Sequence, residues 1–193
     1  MELRIVVAPD SYKGSVSALG VAQAMERGIL RVYPHADVRK IPIADGGEGT
    51  VEALVTATSG LMRHCVVTGP LGERITACWG VLGDQETAVI EMAAASGLPL
   101  LSPEQRDPLL ATTRGTGELI RAALDAGLRK IIIGIGGSAT NDGGAGMARA
   151  LGVRFSGGDG NELPEGGAAL AFLKHINMTG LDSRLLETEI TVA

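Results

Sequence analysis

The sequence predicts an α/β protein that starts with a Rossmann-like parallel β-α-β unit and continues into a second, mixed α/β domain. Strand-like and helix-like segments alternate over residues 3–58, which is the pattern of a parallel unit. A different sequence pattern follows, in which apolar residues alternate with other residues on both sides of a GPLG turn. The composition agrees, since 45% of the residues are hydrophobic but only 3% are aromatic, and 28 glycines allow close backbone approaches.

The first unit is predicted from residue types and spacing. Its elements are a strand over Leu3–Ala8, a helix from Val16 to Val32, a strand over Asp37–Ile43 and a helix over Gly49–Thr58. The first strand is a continuous apolar run, as in a parallel sheet buried on both faces. Ser15 is suited to cap the first helix, and Gly60 to close the second. Because crossover connections are right-handed, both strands should end at one edge of the sheet.

The second domain is predicted to begin near residue 65, which divides the chain into the first part of a Rossmann-like domain over residues 1–65 and a second, incomplete mixed α/β domain over residues 66–193. Its expected elements are an antiparallel hairpin around GPLG, a strand over 86–92, an irregular connection over 93–110, a helix over 115–126, a strand from 131, a helix after it and a loop over 153–167. Residues 189–193 read as the start of a buried strand. A domain that stops inside a strand suggests that this chain is a fragment.

Composition and charge exclude several classes of protein. The net charge of −5, without any basic cluster, argues against a nucleic-acid binder. No apolar run approaches the roughly 20 residues of a membrane span, and no signal peptide is visible. Cys65 and Cys78 read as small core residues in a reducing compartment, and the three histidines form no motif. We therefore expect a soluble, cytoplasmic protein.

Three strand ends carry the polar residues that could perform chemistry. The central one, IIIGIGGSATNDGGAGMA over residues 131–148, reads as a buried strand, a polar turn and a helix, and the first N–H groups of such a helix can bind an anion. IVVAPDSYKGS and IPIADGGEGT repeat the design. Together they predict one composite site, with Gly115–Gly117 as a further helix start. A carboxylate beside hydroxyl groups suits Mg²⁺-bound phosphate or a hydroxy acid.

Each motif also has a simpler interpretation. The polar residues of the central turn could merely cap a helix, as could Asp45 and Glu48. Asp10 could form an Asx turn, and Lys13 could be a solvated surface lysine. The central turn also fits the dinucleotide pattern G-x-G-x-x-A, although the carboxylate that follows would repel a pyrophosphate unless a metal lay between them.

The segments APDSYKGS, ADGGEGT, GTGELI and GIGGSATNDGGAGMARALG, in this order and spacing, resemble the bacterial glycerate kinase family over essentially the whole chain. The resemblance implies an ATP- and Mg²⁺-dependent kinase that converts D-glycerate to 2-phosphoglycerate. It also implies two α/β domains, one inserted into the other, and a family chain roughly twice as long as this one. The present sequence would then be the N-terminal half.

The resemblance and the residue chemistry together give each motif an expected role, because phosphoryl transfer relies on positioning and charge neutralisation. Asp10 or Asp45 would orient or deprotonate the acceptor hydroxyl, Lys13 would contact the transferring phosphate or the glycerate carboxylate, and Asp142 would bind the metal. The residues expected to bind substrate or phosphate are Ser11, Ser15, Gly46, Gly47, Glu48, Thr116, Gly136, Gly137, Ser138, Thr140 and Asn141.

Two other functions remain open from the residues alone. One is an NAD-dependent hydroxy-acid oxidoreductase, and the other is an inactive fragment that only binds a small anion. An open sheet edge would also favour self-association into a homo-oligomer.

Overall fold

The fold starts with the predicted parallel unit, and the computed structural model describes residues 3–12 and 15–193. Strand β1 (Arg4–Val7) pairs in parallel with β2 (Asp37–Lys40), and helix α1 (Ala18–Val32) connects them. The parallel β-α-β pairing is therefore observed. Whether these strands belong to a larger Rossmann-like sheet stays a prediction.

Helix α1 begins later than the sequence predicts. Ser17, rather than Ser15, is its N-cap, and the Ser17 side chain accepts a hydrogen bond from the Gly20 N–H group at 3.2 Å. The reason is a tight turn just before the helix, in which the N–H groups of Ser15 and Val16 both donate to the Tyr12 carbonyl. This turn keeps Ser15 outside the helix.

A five-stranded sheet forms the centre of the rest of the chain. Helix α2 (Thr50–Thr58) leads into the predicted hairpin of β3 (Leu61–Thr68) and β4 (Arg74–Val81), and then into β5 (Thr87–Glu91). Strands β6 (Lys130–Gly134) and β9 (Glu189–Val192) complete the order β3-β4-β5-β6-β9. The hairpin is antiparallel, whereas β5, β6 and β9 run parallel, so the sheet is mixed.

The remaining elements cover this sheet or extend from it. They are α3 (Ala93–Ser96), α4 (Arg114–Asp125), α5 (Ala145–Ala150) and the antiparallel pair of β7 (Arg154–Ser156) and β8 (His175–Asn177), with 3-10 turns at Leu98–Leu100, Pro103–Gln105, Gly167–Phe172 and Ser183–Glu187. The main core joins α4 to the sheet through fully buried side chains such as Leu119, Ile120 and Ile131. Apolar residues recur at helical spacing along α4, which explains why this helix buries one face.

Two predictions about regular structure need correction. Residues 153–167 are not entirely a loop, because Arg154–Ser156 pair with β8. The last segment forms a strand as expected, but all four residues of β9 are exposed rather than buried. They are exposed because, among the described residues, β9 pairs only with β6 and no helix packs extensively on its faces.

The predicted boundary at residue 65 and both cysteines lie in the hairpin of β3 and β4. Residue 65 lies inside β3, and the division of the chain at that point stays a prediction. Cys65 and Cys78 are free thiols, and burial raises the pKa of both. Cys65 stands opposite Ala77, so the two thiols project from opposite faces of the hairpin. Over residues 3–12 and 15–193, no helix has the length and apolar character that a membrane crossing requires.

Candidate active site

Three parallel strands bring their carboxyl ends to one edge of the large sheet. Glu91 ends β5, Gly134 ends β6 and Val192 ends β9, with Glu91 paired to Gly134. Ligands of open α/β sheets bind at this edge, since loops leave the strands there. The central glycine-rich turn therefore starts where the sequence predicts it.

The loop that follows β2 lies directly on this turn. The Gly136 N–H group donates to the Gly46 carbonyl at 3.0 Å. A Cβ atom on Gly134 would lie 2.4 Å from the same carbonyl oxygen, and one on Gly136 would lie 2.7 Å from the Cα atom of Gly47. Only glycine permits such backbone contact, so the predicted ADGGEGT and GIGGSATND motifs do form one structural unit.

The next residues of the turn are held by the segment around α3. The Ala139 N–H group donates to the Ser96 carbonyl and the Leu98 N–H group donates to the Gly137 carbonyl, each at 2.9 Å. Within the turn, the hydroxyl groups of Ser138 and Thr140 lie 2.9 Å apart and share a hydrogen bond. Asn141 is exposed. The predicted binding residues of this turn are thus accessible or half-buried, on a backbone held by hydrogen bonds.

Asp142 has a different environment from the one expected of a metal ligand. It is 1% exposed, and its carboxylate accepts hydrogen bonds from the N–H groups of Thr113, Gly144 and Gly146 and from the Thr113 hydroxyl group, all at 2.9–3.0 Å. The protein's own carboxylate therefore takes N–H groups at the start of α5 that were expected to bind an anion. Its metal-binding role stays a prediction, although both of its oxygen atoms have protein donors.

The start of α4 is buried in the same region. Glu165 accepts hydrogen bonds from the Thr112 hydroxyl group at 2.6 Å and from the Arg114 guanidinium group at 2.9 Å. Thr116 is fully buried, and its hydroxyl group pairs with that of Ser96 at 3.0 Å. These contacts give Thr116 a packing role between α3 and α4. Its predicted part in ligand binding stays a prediction.

The first strand end lies beside the second. The Ile43 N–H group donates to the Pro9 carbonyl at 3.1 Å, which places the Asp10 turn next to the segment that leads to Asp45. Asp10 accepts a hydrogen bond from the N–H group of the adjacent Ser11 at 2.6 Å, which is not the contact two residues later that an Asx turn makes, and both aspartates are exposed. Lys13 lies outside the described residues, so its role stays a prediction.

A cavity of about 570 Å³ opens between the α1 segment and α2, within the size range of ligand pockets. Three of the predicted binding residues line it, namely Ser11, Ser15 and Glu48. Ser138, Thr140 and Asn141 are not among its lining residues. The structure therefore brings part of the predicted site into one cavity, whereas the central turn lies outside this cavity.

Sequence reasoning missed Glu91, which lines this cavity and is only 9% exposed. Its Oε1 atom accepts hydrogen bonds from the N–H groups of Gly49 at 3.1 Å and Val51 at 2.8 Å, which fixes the start of α2. Burial raises the pKa of the Glu91 carboxyl group, against the effect of these N–H donors and with a smaller contribution from the charge of Glu48. The available signal was an acidic residue at the end of the otherwise apolar strand TAVIE.

The carboxylates suit a metal ion that is held only partly by the protein and partly by the substrate. Within the described parts of the chain, no three His, Cys, Asp or Glu side chains converge on a point that could hold a metal ion. Mg²⁺ in phosphoryl-transfer sites is often held by one or two carboxylates together with substrate phosphates and water. The exposed side chains of Asp10, Asp45 and Glu48 suit that arrangement.

Comparisons with known proteins agree with these motifs. The sequence profile described as the glycerate kinase family matches residues 5–193. The chain is 60% identical to a glycerate kinase of Bacillus subtilis (strain 168) and 58% identical to a glycerate 2-kinase of Escherichia coli (strain K12). Each match covers 99% of this chain and 50% of the relative.

A solved structure shares the fold as well. The crystal structure of a protein assigned as glycerate kinase 2 from Salmonella typhimurium LT2 superposes with a TM-score of 0.88 at 59% identity, over 99% of this chain and 52% of that chain. The present chain thus spans about half the length of the curated relatives that it matches. The chain belongs to the glycerate kinase family.

Proposed function

We propose that this chain forms part of a kinase that transfers the γ-phosphate of ATP to D-glycerate and produces 2-phosphoglycerate. The observation that carries the proposal is the direct contact between the loop at Asp45–Glu48 and the turn at Gly134–Gly137. It joins a carboxylate-bearing loop to a hydroxyl-bearing glycine turn at one sheet edge. The names of the relatives support glycerate as the acceptor.

The proposed division of labour follows from exposure and hydrogen bonding. Asp45 has one carboxylate oxygen bonded to the Gly47 N–H group at 3.3 Å, and the other is open to a ligand. Asp45 or Asp10 would orient the acceptor hydroxyl group and take its proton. Ser138, Thr140 and the backbone N–H groups near Gly137 would bind anionic oxygen atoms, and Lys13 would neutralise charge.

ATP and Mg²⁺ supply the phosphoryl group and neutralise its charge when they are bound. One or two of the exposed carboxylates Asp10, Asp45 and Glu48 would hold the metal. We propose that Asp142 serves this site through structure, since its oxygen atoms bind the starts of α4 and α5.

The direct test is activity in a full-length chimera. Residues 1–193 would replace the matching half of the Bacillus subtilis glycerate kinase, to which they are 60% identical. We expect the chimera to phosphorylate D-glycerate with ATP and Mg²⁺, measured by a coupled ADP assay, and NMR of the product to show the phosphate on O2.

The parent kinase serves as the positive control, and the 193-residue chain alone shows whether this half suffices. A folded chimera that does not phosphorylate D-glycerate would overturn the proposal. Tight NAD binding by that chimera, without a response to ATP, would instead support the oxidoreductase alternative.

Asp45→Asn in the chimera should lower kcat by about 100-fold or more, because it removes the carboxylate proposed to act on the acceptor hydroxyl. Asp84→Asn is a matched control, since Asp84 also accepts a hydrogen bond from the N–H group two residues later but lies in the turn between β4 and β5. The control should keep kcat within about twofold. A loss of less than about threefold in Asp45→Asn would transfer the acid-base role to another residue, with Asp10 the next to test.

A further inference from the structure

Glu91 combines burial with a carboxylate oxygen that has no protein partner. Its Oε1 atom is used twice, by the N–H groups of Gly49 and Val51. Its Oε2 atom accepts no hydrogen bond of 3.5 Å or less from any residue in 3–12 or 15–193, although the Thr50 N–H group also lowers the pKa of this carboxyl group, and the residue lines the 570 Å³ cavity. The Oε2 atom is not enclosed, because it is not one of the buried side-chain atoms that lack a hydrogen-bond partner among the described residues, so a ligand in the cavity can reach it and supply a donor.

The charge of the cavity wall restricts which ligand group can face this oxygen. Glu48 and Glu52 line the same cavity, and no Lys, Arg or His is present among its described lining residues. A phosphate or carboxylate group placed against Glu91 would therefore be repelled. A hydroxyl group is not repelled, because it can donate a hydrogen bond to the carboxylate.

We propose that Glu91 accepts a hydrogen bond from the C3 hydroxyl group of D-glycerate, which is the hydroxyl group that does not receive the phosphate. The inference rests on the proposed function, in which O2 of D-glycerate receives the phosphate and the C3 hydroxyl group is left. Glu91 then selects dihydroxy acids over monohydroxy acids. The same residue also holds the start of α2, and so connects substrate selection to the loop that carries Asp45 and Glu48.

This placement fixes the direction of the acceptor. Its C3 end points at Glu91, so its carboxylate points away from the acidic wall. The Met92 N–H group, one residue after Glu91, donates to the Gly134 carbonyl at 2.8 Å, so the glycine turn lies immediately beside this point. The reacting C2 hydroxyl group would then lie between the cavity and the loop-turn contact.

The experiment compares D-glycerate with D-lactate, which has a hydrogen atom in place of the C3 hydroxyl group. The full-length chimera supplies the KM of D-glycerate and the inhibition constant of D-lactate. In Glu91→Gln, the amide oxygen can still accept from Gly49 and Val51 while the charge facing the ligand is lost. We expect the KM of D-glycerate to rise at least about tenfold and the inhibition constant of D-lactate to change less than about twofold.

Glu86→Gln is the matched control, because Glu86 precedes the other end of the same strand and pairs with Lys130 on the surface at 2.9 Å. It should leave both constants unchanged. Equal shifts for both compounds in Glu91→Gln, or no shift for D-glycerate, would overturn the proposal. If Glu91→Gln does not fold, the unsubstituted chimera decides, since binding D-glycerate less than about threefold more tightly than D-lactate would equally overturn it.

The two proposals fail in different ways. An unsubstituted chimera that does not phosphorylate D-glycerate overturns the proposed function, and the role of Glu91 with it. An active chimera in which Glu91→Gln shifts the constants of both compounds equally, or leaves the KM of D-glycerate unchanged, overturns only the role of Glu91.

Discussion

We expect Asp142→Ala to lower the free energy of unfolding by about 3–5 kcal/mol, because it leaves buried donors without an acceptor. Those donors are the N–H groups of Thr113, Gly144 and Gly146, which belong to two different helix starts. Both starts should loosen together. Urea unfolding followed by circular dichroism measures the loss.

Asp159→Ala is the control for this prediction. Asp159 also accepts hydrogen bonds from a residue two positions later, Asn161, but it lies exposed in a loop. Its replacement should cost less than about 1 kcal/mol. Equal stability losses in the two variants would contradict the structural role of Asp142.

Asp142→Asn separates the structural role from metal binding. If the role of Asp142 is structural, we expect the unfolding midpoint to fall in this variant. The Mg²⁺ concentration that gives half-maximal activity of the chimera should then stay the same. A rise of about tenfold in that concentration, at unchanged stability, would favour metal binding instead.

Gly134→Ala should lower kcat/KM of the chimera by about 100-fold, since catalysis is sensitive to displacements of about 1 Å. The added Cβ atom would lie 2.4 Å from the Gly46 carbonyl oxygen, which is backbone and has no flexible end to move. The loop with Asp45 must therefore shift away from the turn. The hydrogen bond from Gly136 to Gly46 would weaken as well.

Gly28→Ala controls for the general effect of replacing a glycine. Gly28 lies in α1 with an exposed position, and a Cβ atom there would meet nothing within 4 Å. This change should stabilise the helix by about 0.5–1 kcal/mol and leave kcat/KM unaltered. If Gly134→Ala retained kcat/KM within about threefold, the loop-turn contact would not position the reacting groups.

The elements that were predicted well are those with strong local patterns. Helix α4 and strand β6 differ from the predicted starts by one residue, because apolar spacing and a β-branched run define them. Segments whose partners are distant in sequence were harder. Strand β7 has only three residues, and its pairing partner β8 begins only at His175.

The candidate site shows the same difference between residues marked by a local pattern and residues whose partners are distant in sequence. Glycines at 46, 47, 134 and 136 were singled out from the sequence, and the structure places them in contact. Glu91 was not, since one acidic residue at the end of an apolar strand is a weak signal, and its contacts with Gly49 and Val51 join residues far apart in the chain. The sequence predicts Thr116 as a binding residue because its glycine neighbours indicate a helix start, yet its hydroxyl group is enclosed against Ser96.

The sequence by itself determined the family, the order of the main elements and the glycine-rich motifs at strand ends. These are local properties, set by residue type and spacing. Only the tertiary structure decided which polar groups are free and which are already used. Asp142 and Glu91 are both buried carboxylates, but every oxygen of Asp142 meets donors from α4 and α5, whereas one oxygen of Glu91 has none among the described residues. Burial and hydrogen-bond partners arise from residues that are far apart in the chain, so no local pattern can specify them.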